Sequence, residues 1–117
     1  MEELKIDSYD GVGYRPVHDF GAWRVALLNH GPRFDTATMQ DLERHTETDE
    51  VFVLLSGKAE LIIGEKMQHV PMENGKVYTV LKGVWHGISV SEDAKVLIVE
   101  NADTTKENTV HKLLSEF

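Results

Sequence analysis

Apolar residues in this chain come in short bursts separated by turn residues. Ala22 to Asn29 (AWRVALLN) is apolar and β-tolerant, and it ends at the strong break His30-Gly31-Pro32. A second extended piece, poorer in apolar residues, covers roughly Thr36 to His45. Val51 to Leu55 is a continuous apolar run closed by Ser56-Gly57, the pattern of a buried strand. Ala59 to Ile63 follows, and the turn Gly64-Glu65 leads into Lys66 to Val70. Asn74-Gly75 is the strongest hairpin signal, because a type I′ turn needs positive φ at both central residues. Val77 to Leu81, Val84 to Val90 and Ala94 to Glu100 complete the series. Turn signals recur about every eight to twelve residues between positions 30 and 100, which predicts an all-β antiparallel barrel or sandwich. Two ends depart from this rhythm. Residues 1–20 are polar, with Gly11, Gly13 and Pro16, and read as an arm with one short strand. In Glu107 to Phe117 the apolar residues Val110, Leu113, Leu114 and Phe117 sit at helical spacing, so a short terminal helix is expected over 107–117.

A length of 117 residues fits one domain, expected to span 1–117. The chain has no cysteine, which removes disulfides, thiolate catalysis and thiolate-zinc sites and suits a reducing compartment. Met1-Glu2-Glu3-Leu4-Lys5 lacks the basic end and apolar core of a signal peptide, so a cytoplasmic location is expected. No apolar run approaches bilayer length, so no membrane partner is expected. The net charge of −8 repels phosphate backbones, and Arg15, Arg24, Arg33 and Arg44 are dispersed, so nucleic acid is not expected as a partner either.

The candidate chemistry lies in Glu43-Arg44-His45-Thr46-Glu47-Thr48-Asp49-Glu50, just ahead of the Val51 strand. Glu43 and His45 are two apart and share a face if the segment is extended. His86 follows Gly83-Val84-Trp85 in a later strand. Two imidazoles and a carboxylate brought together would suit zinc, iron, manganese or nickel. Taken alone, His45 also reads as a surface histidine, Glu50 as a solvated strand-end charge, and His86 as a core histidine bonded to backbone. Trp23 and Trp85 are cavity-lining or plain core residues. A loop around His30 and Arg33 would cover a barrel mouth, with Arg33 able to receive a carboxylate, or would simply be solvated. Glu47 and Asp49 read as loop charges, and His18, His69 and His111 have no constellation around them.

These residues together resemble the cupin superfamily, small barrels of the double-stranded β-helix or jelly-roll type. In the first cupin motif, His45 stands at the second histidine, Glu50 at the glutamate and Gly57 at the closing glycine. In the second motif, Gly83 and His86 match. Glu43 stands where the first histidine belongs, Ala37 replaces the leading glycine, Leu81 the proline and Val90 the closing asparagine. The resemblance implies a cupin barrel over 22–100. It also implies a divalent metal held by Glu43, His45, Glu50 and His86, with Glu43 as fourth ligand or general base. Two carboxylates with two imidazoles make a harder site than the family's three histidines and a glutamate. The implied functions are metal-assisted conversion of a small polar organic molecule or, alternatively, metal-free binding of one. A structural barrel serving a protein contact is a third reading. A homodimer is expected, since barrel edges invite pairing.

Overall fold

The structure, a computed structural model, describes residues 2–117. Among the described residues, ten strands form two antiparallel five-stranded sheets. The strands are β1 (Tyr14–Phe20), β2 (Trp23–Leu28), β3 (Asp41–His45), β4 (Glu50–Ser56), β5 (Ala59–Ile63), β6 (Gln68–Pro71), β7 (Val77–Val80), β8 (His86–Val90), β9 (Lys95–Asn101) and β10 (Thr109–Leu113). One sheet runs β1-β2-β9-β4-β7, the other β10-β3-β8-β5-β6. Only β1–β2 and β5–β6 are hairpins between consecutive strands. Every other connection crosses to the opposite sheet, which gives the double-stranded β-helix.

Period-two alternation packs the interior. On β4 the inward row is Glu50, Phe52 and Leu54; on β8 it is His86, Ile88 and Val90; on β9 it is Val96, Ile98 and Glu100. All nine are buried. The apolar members pack with Ala26, Leu28 and Leu61 into the main core, each large side chain contributing about 1.5–3 kcal/mol. Each of the three rows thus ends in an ionisable group. A second core lies on the other face of the β3 sheet, where Leu42, Ile62, Met39 and Trp85 meet Leu114 and Phe117.

The glycine of the first motif is explained by space. Gly57 has φ +72°, and a Cβ there would lie 2.6 Å from Ala94 Cα. Its turn carries the chain from β4 to β5, between sheets.

Three expectations need correction. No terminal helix forms over 107–117. Thr109–Leu113 is β10, flanked by short 3₁₀ turns at Lys106–Asn108 and Leu114–Glu116. The free edge of β3 satisfies the backbone of β10, pairing Thr109 with His45 through Leu113 with Asp41. That ladder outweighs helical spacing in a stretch too short to be a stable helix by itself. Leu114 and Phe117 still supply apolar contact, against the second core. Asn74-Gly75 is not a type I′ hairpin. Gly75 has φ +84°, but Asn74 is not in the positive-φ region, and β6 and β7 lie in different sheets. The Thr36–His45 segment is a strand only from Asp41 onwards.

Candidate metal centre

Three strands bring the predicted site residues to one end of the barrel. Glu43 and His45 lie on β3, Glu50 opens β4 and His86 opens β8. Glu43 pairs directly with His86 across β3 and β8. The turn before β8 is tied to β3, since the Gly83 N–H donates to the His45 carbonyl at 2.7 Å. All four side chains line one cavity of about 390 Å³. His45, Glu50 and His86 are buried, whereas Glu43 is partly open.

The donor atoms converge. Glu50 Oε1 lies 2.9 Å from His86 Nε2 and 3.5 Å from His45 Nε2. Glu43 Oε1 lies 3.7 Å from His45 Nε2. The outer nitrogens are held from behind: His86 Nδ1 is 3.0 Å from the Val84 carbonyl, and His45 Nδ1 is 3.0 Å from Thr109 Oγ1. A carbonyl only accepts, so His86 donates from Nδ1 and aims Nε2 inward at the Glu50 carboxylate. His45 Nε2 is buried with no hydrogen-bond partner. An orphan nitrogen facing two carboxylates fits a cation. A divalent ion with bonds of about 2.0–2.2 Å holds its donors roughly 2.9–3.6 Å apart, close to the spacings seen here. The residues present therefore suit a hard or borderline divalent ion.

Sequence reasoning missed Glu100, Tyr14, Arg24, Thr109 and His111, all of which line the cavity. Donor atoms of His45, Glu50 and Glu100 lie within 4.8 Å of one another, as do those of Glu43, His45 and His86. Tyr14 Oη donates to Glu100 Oε1, and Arg24 Nη1 lies 3.9 Å from the same oxygen. Glu100 had a legible signal, since alternation from Val96 and Ile98 puts it on the inward face. Tyr14 opens a largely polar strand with no pattern pointing inward, and Arg24 shares the inward row of Ala26 and Leu28 on β2, which the apolar residues on both faces of that strand obscure in the sequence.

Electrostatics follow from crowding. Burial, a hydrogen bond with Glu50 and the Glu50 charge raise the Glu100 carboxyl to about 8, against smaller opposing effects of Tyr14 and His45. Burial works against the Glu50 carboxylate, but the neighbouring His45, His86 and Glu100 more than offset it and hold Glu50 below the usual carboxylate range. Burial opposes protonation of both histidines, yet the adjacent Glu50 carboxylate prevails, and both sit above their ordinary value. The Tyr14 phenol is pushed up by burial and by Glu100.

Other candidates separate clearly. Arg33 and Phe34, on a 3₁₀ turn at Pro32–Phe34, line the cavity mouth, and Arg33 Nη2 lies 3.5 Å from Glu43 Oε2. His30 instead pairs with Asp35 at 2.9 Å. Trp85 packs in the second core under the Arg44 guanidinium, and Trp23 stands half-exposed beside Phe20 and His18. Neither tryptophan lines the cavity. Asp49 Oδ1 accepts from the Lys82 N–H at 2.8 Å, so it bridges two loops.

A two-sheet β-helix with imidazoles and carboxylates gathered at one end of its interior defines a small jelly-roll barrel with a polar cavity. The chain belongs to the cupin family: the family described as "Cupin domain" matches residues 33–100, more than half of the sequence. No curated protein matches it. Among solved structures, it resembles a cupin-2 domain containing protein from Shewanella frigidimarina, with 21% identity and a TM-score of 0.62 over 80% of this chain and 84% of that one. It resembles Streptomyces Pac13 solved with uridine, with 10% identity and a TM-score of 0.67 over 90% of this chain and 82% of that one; Pac13 is described as a nucleoside dehydratase. It also resembles KdgF from a Halomonas species, with 14% identity and a TM-score of 0.59 over 91% of this chain and 93% of that one.

Proposed function

We propose that this chain is a metal-binding cupin that takes a small polar organic molecule into its barrel. The observation that carries the reading is the buried, partnerless His45 Nε2, set among the carboxylates of Glu43 and Glu50 near His86. His45, Glu50 and His86 would hold the ion, with Glu43 as fourth ligand or general base. When bound, a divalent ion would supply Lewis acidity or activate oxygen or water. The chain's own groups do the rest. Glu43 Oε1 stands where it can take a proton from a bound molecule. Glu100 keeps a proton that it can donate, with Tyr14 holding the carboxyl in place. Phe34, Phe52 and Ile88 give the cavity apolar walls beside its polar floor.

A cavity of about 390 Å³ lies within the range of small-molecule sites. The neighbour solved with uridine supports the choice of a small polar molecule. Metal analysis of protein purified without a histidine tag tests the reading. Stoichiometric zinc, iron, manganese or nickel is expected, and a His45→Ala, His86→Ala pair should lose it.

One observation favours a second reading, metal-free binding of a small ligand. His86 Nε2 is already satisfied by Glu50 at 2.9 Å, so half of the imidazole pair needs no ion. Metal-free protein that binds a small molecule would select this reading. A homodimer belongs to either reading, because β1, β7, β10 and β6 are sheet edges; a monomer by light scattering would remove it. No helix among the described residues is long and apolar enough to cross a membrane.

A further inference from the structure

We infer that strand β10 is a functional strand, and that Thr109 and His111 are positioning residues for His45 and Glu43. This rests on the metal-binding reading above. In the β10–β3 ladder, Thr109 stands opposite His45 and His111 opposite Glu43. A Thr-x-His pair therefore faces a Glu-x-His pair in register. Alternation turns all four side chains to the cavity side, and all four line it.

Each contact selects an orientation. Thr109 Oγ1 lies 3.0 Å from His45 Nδ1. With the hydroxyl accepting from Nδ1–H, the lone pair is on Nε2 and points to the centre. Unlike the Val84 carbonyl behind His86, a hydroxyl can also donate, so the His45 tautomer depends on Thr109 in a way that the His86 tautomer does not. On Glu43, the outer oxygen Oε2 is taken by Arg33 at 3.5 Å and approached by His111 Nε2 at 3.8 Å. The inner oxygen Oε1 is left facing His45 Nε2. His111 is itself anchored by Asp41 Oδ2 at 3.1 Å from Nδ1. The arrangement presents one oxygen of Glu43, not two. Groups behind metal ligands of this kind alter metal affinity by about 10–100-fold when removed.

Two measurements test this. The first uses metal-free protein and needs no ion. Nitrogen-15 NMR of the imidazoles, at a pH where His45 is neutral, should show the Nδ1-protonated tautomer. In Thr109→Val, His45 should shift to the other tautomer or to a mixture while His86 stays unchanged. The second is titration of the metal-free protein with Co²⁺, followed by its visible absorption bands. Thr109→Val should weaken Co²⁺ about 10-fold or more and change the band pattern. Thr109→Ser should restore both, and His111→Ala should weaken binding by a smaller factor. Val110→Ala, on the opposite face of the same strand, should leave affinity unchanged.

An unchanged His45 tautomer in Thr109→Val, or equal Co²⁺ affinity across all four variants, overturns the role of β10 and leaves the metal reading standing. Wild-type protein that takes up no Co²⁺ overturns the metal reading itself. The tautomer measurement then decides alone whether Thr109 orients His45.

Discussion

Glu100 makes the metal-free protein lose stability as the pH rises through neutrality. In the unfolded chain this carboxyl releases its proton near its ordinary value of 4.5, whereas in the cavity it holds the proton up to about 8. Between those values the native state binds one proton more than the unfolded state, so stability falls with rising pH. The full interval corresponds to roughly 5 kcal/mol at about 1.4 kcal/mol per pH unit. Screening by solvent in the open cavity reduces this to roughly 1–3 kcal/mol. His45 and His86 act in the same direction, since both are raised above 6.5. Glu50 is lowered from 4.5, so its contribution is already complete above that value and is lost only as the pH falls below it. The perturbation is Glu100→Gln, which cannot titrate. The assay is urea unfolding of chelator-treated protein from about pH 5.5 to about pH 8 at fixed ionic strength. Wild type should lose stability across that range, and Glu100→Gln should show a visibly flatter profile. Parallel profiles for the two proteins would refute the account of Glu100.

Other consequences are as direct. Saturating Mn²⁺ or Zn²⁺ at about 100 times its dissociation constant should stabilise the protein by roughly 2.7 kcal/mol, read as a higher Tm that disappears in the His45→Ala, His86→Ala pair. Glu43→His, which installs a third imidazole, should raise the preference for zinc over manganese in competition titrations; an unchanged ratio would place Glu43 outside the ligand set. Gly87→Ala would set a Cβ 2.7 Å from Leu42 Cδ2, and overpacking a fully buried leucine should cost about 1–3 kcal/mol; a smaller cost in the Leu42→Ala background would confirm the collision. Gly57→Ala combines positive φ with a clash against Ala94 backbone and should cost at least about 2 kcal/mol in denaturant unfolding.

The strands with dense apolar content were legible because their pattern and their packing agree. Val51 to Leu55 and Ala94 to Glu100 became β4 and β9 almost as read. The residues that the motifs single out, Glu43, His45, Glu50 and His86, share one cavity. What the sequence hid was pairing at a distance. Val110, Leu113, Leu114 and Phe117 carry helical spacing because two of them serve a strand and two serve a packing turn, and no local pattern reveals that boundary. Thr109 and His111 went unseen for the same reason. Alternation turned Glu100 inward legibly, but not its role, since an acid closing an apolar row looks like an ordinary strand end until its neighbours are known. Asn74-Gly75 misled because a tight turn says that the chain reverses, not which sheet it enters.

The recognisable motif segment ends before the parts that individualise this cavity. β1 and β2 supply Tyr14 and Arg24, and β10 supplies Thr109 and His111, all outside residues 33–100. A fragment trimmed to those limits would keep the acids and imidazoles but strip away the side chains that aim and neutralise them. Grafting the two flanks onto another barrel of this kind would be the more informative exchange, because the flanks carry the side chains packed around the central acids and imidazoles.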